Sequence, residues 1–179
     1  MTARPDLAQY IRTIPDFPVP GVQFRDVTTL FGHAEAFREA IAAMSDPYGD
    51  NRIDAVAGMD ARGFILGGAV AYRLGLPFVP VRKKGKLPGA TIAEAYSLEY
   101  GEAIVELHSD AVSSGARVLL VDDLLATGGT ASAGVKLIRR LGAEVTAAVF
   151  LVDLPDLGGS GRLRALGVPV TALCAFDGD

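Results

Sequence analysis

From Ile53 onward, short apolar runs alternate with stretches of helical spacing, and that alternation leaves few folds open to the chain. Ile53-Asp54-Ala55-Val56-Ala57 reads as a strand ending at Gly58. Arg62–Leu74 is small and apolar enough for a buried helix, with Gly75 as its stop. Phe78–Val81 is a second strand. Arg117–Val121 is apolar on nearly every residue, the pattern of a central strand covered on both faces. Ser132–Leu141 is helical, with Val135, Ile138 and Leu141 inward and Gly142 as stop. Val145–Val152 and Val168–Phe176 are further strands. The order implies the α/β class: a central, mostly parallel twisted sheet with flanking helices and right-handed crossovers. Ligands of such sheets bind at the carboxyl ends of the strands.

Two segments fall outside this rhythm. Near the N-terminus, Asp6–Ile14 has helical spacing at Leu7, Tyr10, Ile11 and Ile14, and Pro15, Pro18 and Pro20 then force extended chain as far as Gly21. A helix is expected over His33–Ser45, with Ala34, Phe37, Ile41 and Met44 on one face. The second exception is Lys83–Val105. It begins basic and Gly-rich and alternates through Tyr96–Tyr100. It then turns at Gly101-Glu102 and alternates again through Ile104–Leu107, as a β-hairpin preceded by a mobile loop would. A chain of 179 residues is expected to be one domain, burying roughly 70% of its unfolded surface.

The charge balance narrows the partners. With 17 Lys and Arg against 21 Asp and Glu, the net charge is -4, which disfavours sequence-independent nucleic-acid binding. An anionic ligand must be met by a local patch. The single cysteine, Cys174, allows neither an internal disulfide nor a zinc cluster and fits a reducing compartment. Met1–Tyr10 lacks the apolar run of a signal peptide, and no stretch approaches the ~20 apolar residues that span a bilayer. No membrane and a cytoplasmic location are expected.

The strongest local signal is Val118-Leu-Leu-Val-Asp122-Asp123-Leu-Leu-Ala126-Thr127-Gly128-Gly129-Thr130. An apolar strand ends in two acids and enters a loop of small residues that opens a helix. Gly128 and Gly129 let the backbone approach an anion closely. The helix N-terminus behind them turns free amides and its positive dipole end toward that anion. Thr127 and Thr130 add hydroxyl donors. The cradle lacks the Gly-Lys-Ser/Thr ending of a nucleotide P-loop. Carboxylates repel phosphate, so Asp122 and Asp123 suit the hydroxyls of a vicinal diol, as in ribose. Neighbouring strand residues point to opposite faces, so both acids reach one ligand only if the chain leaves the strand there. A plain turn with helix-capping acids is the simpler reading of Gly-Gly-Thr alone; the ordered combination favours a phosphorylated sugar.

This segment resembles the phosphoribosyl pyrophosphate signature of type I phosphoribosyltransferases, in the version of the adenine-specific branch. The likeness runs from about Ile11 to Leu157 and takes in four further motifs. It implies that Asp122, Asp123, Ala126, Thr127, Gly128, Gly129 and Thr130 hold the ribose and 5′-phosphate. Asp16-Phe17-Pro18-Val19-Pro20-Gly21-Val22-Gln23-Phe24-Arg25-Asp26 is, on physics alone, a Pro-stiffened loop that would tuck Phe17 or Phe24 into the core. By resemblance it is a hood over the base: the backbone around Arg25 reads the base edge, Phe24 packs on one face and Leu154 on the other, and Val22 is a further base-binding residue. Arg62, in Gly58-Met59-Asp60-Ala61-Arg62-Gly63-Phe64, is poorly placed for the helix dipole and is implied to contact pyrophosphate. Some relatives carry Glu where this chain has Asp60.

The run Arg82-Lys83-Lys84-Gly85-Lys86-Leu87-Pro88-Gly89 would ordinarily be a solvated loop. The resemblance sends Lys83 and Lys86 to the phosphates, Lys86 from its own or a neighbouring subunit. In Tyr96-Ser97-Leu98-Glu99-Tyr100-Gly101, Glu99 is implied to handle the proton of the base and Tyr100 to cover the site. Arg62 and Glu99 are then the catalytic pair. Adenine and phosphoribosyl pyrophosphate are the implied substrates, AMP and pyrophosphate the products. Mg²⁺ is the implied cofactor, held mainly by substrate and water near Asp122 and Asp123 with no direct protein ligand. The implied assembly is a homodimer. Within one domain (1–179), residues 1–35 form the hood segment, 83–107 the flexible catalytic loop and 117–142 the strand–loop–helix that binds phosphoribosyl pyrophosphate.

Two other readings stay open. A related enzyme could serve hypoxanthine, guanine, xanthine or orotate. A non-enzymatic regulator that senses phosphoribosyl pyrophosphate would need a basic DNA-reading module, and Lys136, Arg139 and Arg140 read instead as the solvated face of an amphipathic helix. His33 and His108 belong to no motif, so no histidine triad is expected.

Overall fold

The computed structural model describes residues 6–50, 52–98 and 101–177. A 3-10 turn over Leu7–Tyr10 leads into β1 (Arg12–Pro15) and β2 (Gln23–Asp26), followed by α1 (Thr28–Phe31) and α2 (Ala34–Ser45). Then come β3 (Ala55–Met59), α3 (Arg62–Leu74), β4 (Phe78–Lys83), β5 (Thr91–Leu98) and β6 (Gly101–His108). The last part holds β7 (Arg117–Leu125), α4 (Gly129–Arg140), β8 (Glu144–Asp153), α5 (Gly159–Ala165) and β9 (Val170–Ala175).

β1 and β2 form a separate two-stranded sheet, and the other strands make a seven-stranded sheet in the order β5-β6-β4-β3-β7-β8-β9. The β3, β4, β7, β8 and β9 pairings are parallel, whereas β6 pairs antiparallel with both β4 and β5. The expected mostly parallel α/β sheet is therefore present. Its central strands β3, β7 and β8 are buried on both faces. In β7, Leu119 and Val121 join the core under α2 and α3, while Val118 and Leu120 join the core under α4 and α5.

The order places a topological switch point between β3 and β7. From β3 the chain moves through α3 to β4 on one side; from β7 it moves through α4 to β8 and β9 on the other. Leu66 and Val70 of α3 pack into one core, Val135 and Ile138 of α4 into the opposite one. The two helices diverge to opposite faces and open a crevice at the carboxyl ends of β3 and β7.

Several boundaries differ from expectation. The N-terminal helix is only the 3-10 turn, capped by Asp6. Ile14 lies instead in β1, opposite Phe24, because pairing with β2 outweighs the helical spacing. His33 precedes α2 and caps it, its Nδ1 accepting from the Ala36 N–H at 3.2 Å. Ala34 is exposed, and Ala36 and Ala40 take the buried face. Ile53 is buried but lies ahead of β3. Gly101 and Glu102, expected to turn, are paired in β6 with Leu98 and Ser97. The short helices α1 and α5 were not anticipated. Arg62–Leu74 matches its expected bounds, closed by Gly75 at φ 67°. Among the described residues no helix is long and apolar enough to cross a membrane.

Candidate active site

β7 does not stop at Val121. Its ladder with β8 continues to Leu125, so Asp122 and Asp123 sit inside the strand and not after it. The neighbouring ladder sustains the strand past the acids, which the apolar pattern alone did not predict. Both acids still border the same cavity, of about 310 Å³, at the switch point. Gly63 explains how Asp122 fits there: a Cβ at that position would lie 2.7 Å from Asp122 Oδ1, so the missing side chain makes room for the carboxylate against α3. Asp122 Oδ1 also accepts the Asp123 N–H at 2.9 Å. Asp123, 5% exposed, meets Arg62 Nε at 2.7 Å through Oδ2. Burial first, and the Asp123 charge second, push the Asp122 carboxyl well above the usual range; the Asp123 amide and the Arg62 cation act against them.

The far wall is the loop Ala126–Gly128 and the first turn of α4, all of which line the cavity. The helix opens at Gly129, earlier than Ser132. Gly128 precedes it in the left-handed region (φ 77°) and no side chain caps the helix. The first-turn amides thus keep their donor capacity and point toward the cavity with the positive dipole end. Thr127 and Thr130 flank them. Gly129 has a second reason to be glycine: its Cβ would lie 3.2 Å from Tyr96 Cδ2, so β5 rests directly on the cradle. Tyr96 lines the cavity; it shares a motif with Glu99, three residues on, but the motif alone assigns it no role.

The opposite wall is Asp60, Ala61, Arg62 and Lys83. Asp60, with its short side chain, still reaches its neighbours. Its Oδ2 accepts the Lys83 N–H at 3.4 Å and lies 3.5 Å from Arg82 Nε. Lys86 is exposed and does not line the cavity; its carbonyl accepts from Arg82 at 2.9 Å. Glu106, buried, accepts the Gly85 N–H at 2.9 Å, so the basic run is a braced turn. Glu99 and Tyr100 lie outside the described residues.

The hood residues stand beside the cavity and not in its wall: Val22, Phe24, Arg25 and Leu154 are not part of the lining described above. Phe24 is joined to it through Arg62, whose guanidinium carbon is 5.6 Å from the Phe24 ring centroid. Phe17 is not tucked into the core. It is 49% exposed and packs edge-on against Phe24, with ring centroids 5.1 Å apart. The Arg25 side chain turns to the C-terminal strand region, 4.5 Å over Phe176, and donates to Thr13 Oγ1 at 2.6 Å. β2 belongs to a sheet of two strands, so one of its edges is left with main-chain donors and acceptors not engaged in a ladder. Leu154 is buried and donates its N–H to the Leu125 carbonyl at 3.0 Å, immediately before the cradle. Asp26 secures the ribbon by accepting from Thr28 and Arg12. Those bonds, Thr28 first, hold its carboxyl down at about 2.

On α4, Lys136 and Arg140 are more than a solvated face. Lys136 Nζ is 3.0 Å from Glu94 Oε1, and Arg140 donates to the Ala93 carbonyl at 2.6 Å, which pins β5 to the helix.

Residues 26–164 match the phosphoribosyl transferase domain. An adenine phosphoribosyltransferase of Jannaschia sp. is 63% identical over 178 residues, 99% of each chain. The crystal structure of adenine phosphoribosyltransferase from Rhodothermus marinus superposes with a TM-score of 0.89 at 51% identity, covering 95% of this chain and 96% of that one. The Saccharomyces cerevisiae enzyme, crystallised with adenine and an imino-altritol bisphosphate, gives a TM-score of 0.87 at 35% identity, over 93% and 96%. A likeness this close, spanning nearly every residue and built on the same sheet, places the chain in the phosphoribosyl transferase family, in its adenine phosphoribosyltransferase branch.

Proposed function

We propose that the protein transfers phosphoribose from phosphoribosyl pyrophosphate to adenine, releasing AMP and pyrophosphate. The observation that carries this reading is the cavity at the switch point, where an uncapped helix N-terminus faces an acid pair and an arginine that touches the hood. Anion grip, diol acceptors and an apolar slot stand in the order in which a nucleotide presents phosphate, ribose and base. The yeast relative's complex with adenine supports the choice of base.

In this reading the amides of Gly128–Thr130 and the Thr127 and Thr130 hydroxyls hold the 5′-phosphate, Asp122 and Asp123 hold the ribose hydroxyls, and Arg62 and Lys83 hold pyrophosphate. Lys86, from its own or a neighbouring subunit, adds charge as the braced turn approaches. Val22, Phe24, the Arg25 backbone and Leu154 hold adenine. A ring nitrogen of adenine bonds to the anomeric carbon as the bond from that carbon to pyrophosphate breaks, through an oxocarbenium-like transition state. Glu99 takes up the proton the base gives up, and Tyr100 covers the site. No protein nucleophile takes part: alignment of the two reactants contributes about 7–11 kcal/mol, and fixed cations stabilise the leaving group. Mg²⁺ suits this site, because the ion takes its oxygens mainly from substrate and water, and the acids Asp122 and Asp123 border the same cavity without serving as direct ligands. When bound, it neutralises charge on the leaving pyrophosphate.

The hood (1–35), the hairpin loop (83–107) and the strand–loop–helix (117–142) act as parts of one domain. The protein works as a cytoplasmic homodimer. Ile65 and Tyr72, two turns apart on α3 and 49% and 90% exposed, supply an apolar face for a second copy. The test is a base panel with phosphoribosyl pyrophosphate and Mg²⁺, following nucleotide formation. AMP from adenine, with little product from hypoxanthine, guanine, xanthine or orotate, is expected. Turnover of another base at the adenine rate, or of none, would overturn the proposal.

A further inference from the structure

The cradle is not shaped by β7 and α4 alone. The loop between β8 and α5 touches it at both ends. At one end, the Leu154 N–H holds the Leu125 carbonyl at 3.0 Å. At the other, the Gly159 N–H holds the Ala126 carbonyl at 3.0 Å, and Gly159 Cα lies 3.0 Å from where a Gly128 Cβ would be. The contact works in both directions. A Cβ on Gly159 would run into the Ala126 carbonyl oxygen, and would lie 2.9 Å from the Gly128 nitrogen and 3.0 Å from Leu125 Cδ1. Gly159 is helical, so the reason for glycine here is space and not backbone freedom. The next glycine, Gly161, has nothing within 4 Å of its Cβ position. The loop is fixed in turn by Ser160, 7% exposed, whose hydroxyl donates to Asp153 Oδ2 at 2.7 Å. Asp153 ends β8 and directly precedes Leu154.

We infer that Gly159 and Ser160 are positioning residues that set the separation between the base slot at Leu154 and the phosphate cradle at Ala126–Gly128, and so gauge the length of the nucleotide. The inference rests on the function proposed above. Anion binding by main-chain amides tolerates errors of a few tenths of an ångström. The obstacles to a methyl on Gly159 are chiefly main-chain atoms, so the cradle itself must shift. Loss of the Ser160 hydroxyl leaves the cradle's own amides in place but frees the Asp153–Leu154 end.

The experiment compares Gly159→Ala, Gly161→Ala, Ser160→Ala and Ser160→Thr by thermal melting, by calorimetric affinity for ribose 5-phosphate and for AMP, and by steady-state kinetics. Gly159→Ala is expected to weaken both ligands and raise the KM for phosphoribosyl pyrophosphate by about tenfold, with kcat changed far less. Gly161→Ala should stay near wild type. Ser160→Ala should weaken AMP several-fold more than ribose 5-phosphate, because only AMP spans both ends, and Ser160→Thr should restore the ratio. Wild-type affinities in Gly159→Ala would overturn the inference, as would a parallel fall of kcat, both affinities and melting temperature. Should Gly159→Ala fail to fold, an unchanged AMP to ribose 5-phosphate ratio in Ser160→Ala overturns it. A wild-type protein that binds neither ligand sinks the proposed function instead.

Discussion

Arg62 Nε lies 2.7 Å from Asp123 Oδ2, so the cation that opens α3 and a buried acid of β7 face each other across the switch point. Each limits what the other can do. Arg62→Ala leaves Asp123 beside Asp122 without its cation and should lower stability by about 1–3 kcal/mol. Adding Asp123→Asn should recover part of that loss. A denaturant double-mutant cycle measures the coupling; strictly additive effects would mean the pair does not interact.

Asp122 is expected to make the unliganded protein less stable as pH rises. Its folded pKa is raised, chiefly by burial and then by Asp123, so folding favours the protonated form. Its contribution to stability is therefore greatest below the ordinary carboxylate range and declines as pH climbs toward the raised value. Asp122→Asn should remove this slope and raise Tm at neutral pH by ~2–4 °C, the shift that about 1 kcal/mol gives in a chain of this size. The same variant should lose affinity for ribose 5-phosphate. Thermal melts between about pH 4 and about pH 8 check the first point, and calorimetry the second.

Asp26 should behave in the opposite sense. Its carboxyl is held at about 2 by Thr28 and then Arg12, so its contribution is complete above ~3.9 and is lost as pH falls toward that lower value. Asp26→Asn should flatten the acid limb of a melting curve series. Because Asp26 secures the ribbon, the KM for adenine should rise more than that for phosphoribosyl pyrophosphate. Equal changes in both would detach Asp26 from the hood.

Thr127→Val removes a hydroxyl donor from the cradle while keeping its shape. The Kd for AMP should rise about tenfold, in line with one hydrogen bond to a charged group. Equal affinity in wild type and variant would take Thr127 out of the phosphate site.

Glu99→Ala should lower kcat about a hundredfold while binding of phosphoribosyl pyrophosphate is mostly kept, as expected for loss of a proton-handling group. Unchanged turnover would remove Glu99 from the mechanism.

Where side chains answer to local periodicity, the chain was readable in advance. Arg62–Leu74 ends at Gly75 because the left-handed cap admits glycine readily, and the cover on both faces of Val118–Val121 follows from its apolar run. What escaped depends on partners far along the chain. β7 passes through two acids because β8 continues its ladder, and Ile14 joins a strand because Phe24 lies opposite it. Within the site, the acid pair and glycine loop were legible as one ordered motif. Tyr96 was not, since its place on Gly129 arises only once the hairpin packs on α4. Nor was the bracing of the basic run by Glu106, 21 residues away from Gly85.

Among the described residues, the β1–β2 ribbon shares no ladder with the seven-stranded sheet. In the function proposed above, recognition of the heterocycle lies mainly in the ribbon, with Leu154 added from the end of β8, while grip on the sugar phosphate lies in the strand–loop–helix, so the two fall largely in separate stretches of chain. Such a layout lets substitutions accumulate in the ribbon and redirect which nucleobase enters, without re-optimising the machinery that activates the sugar.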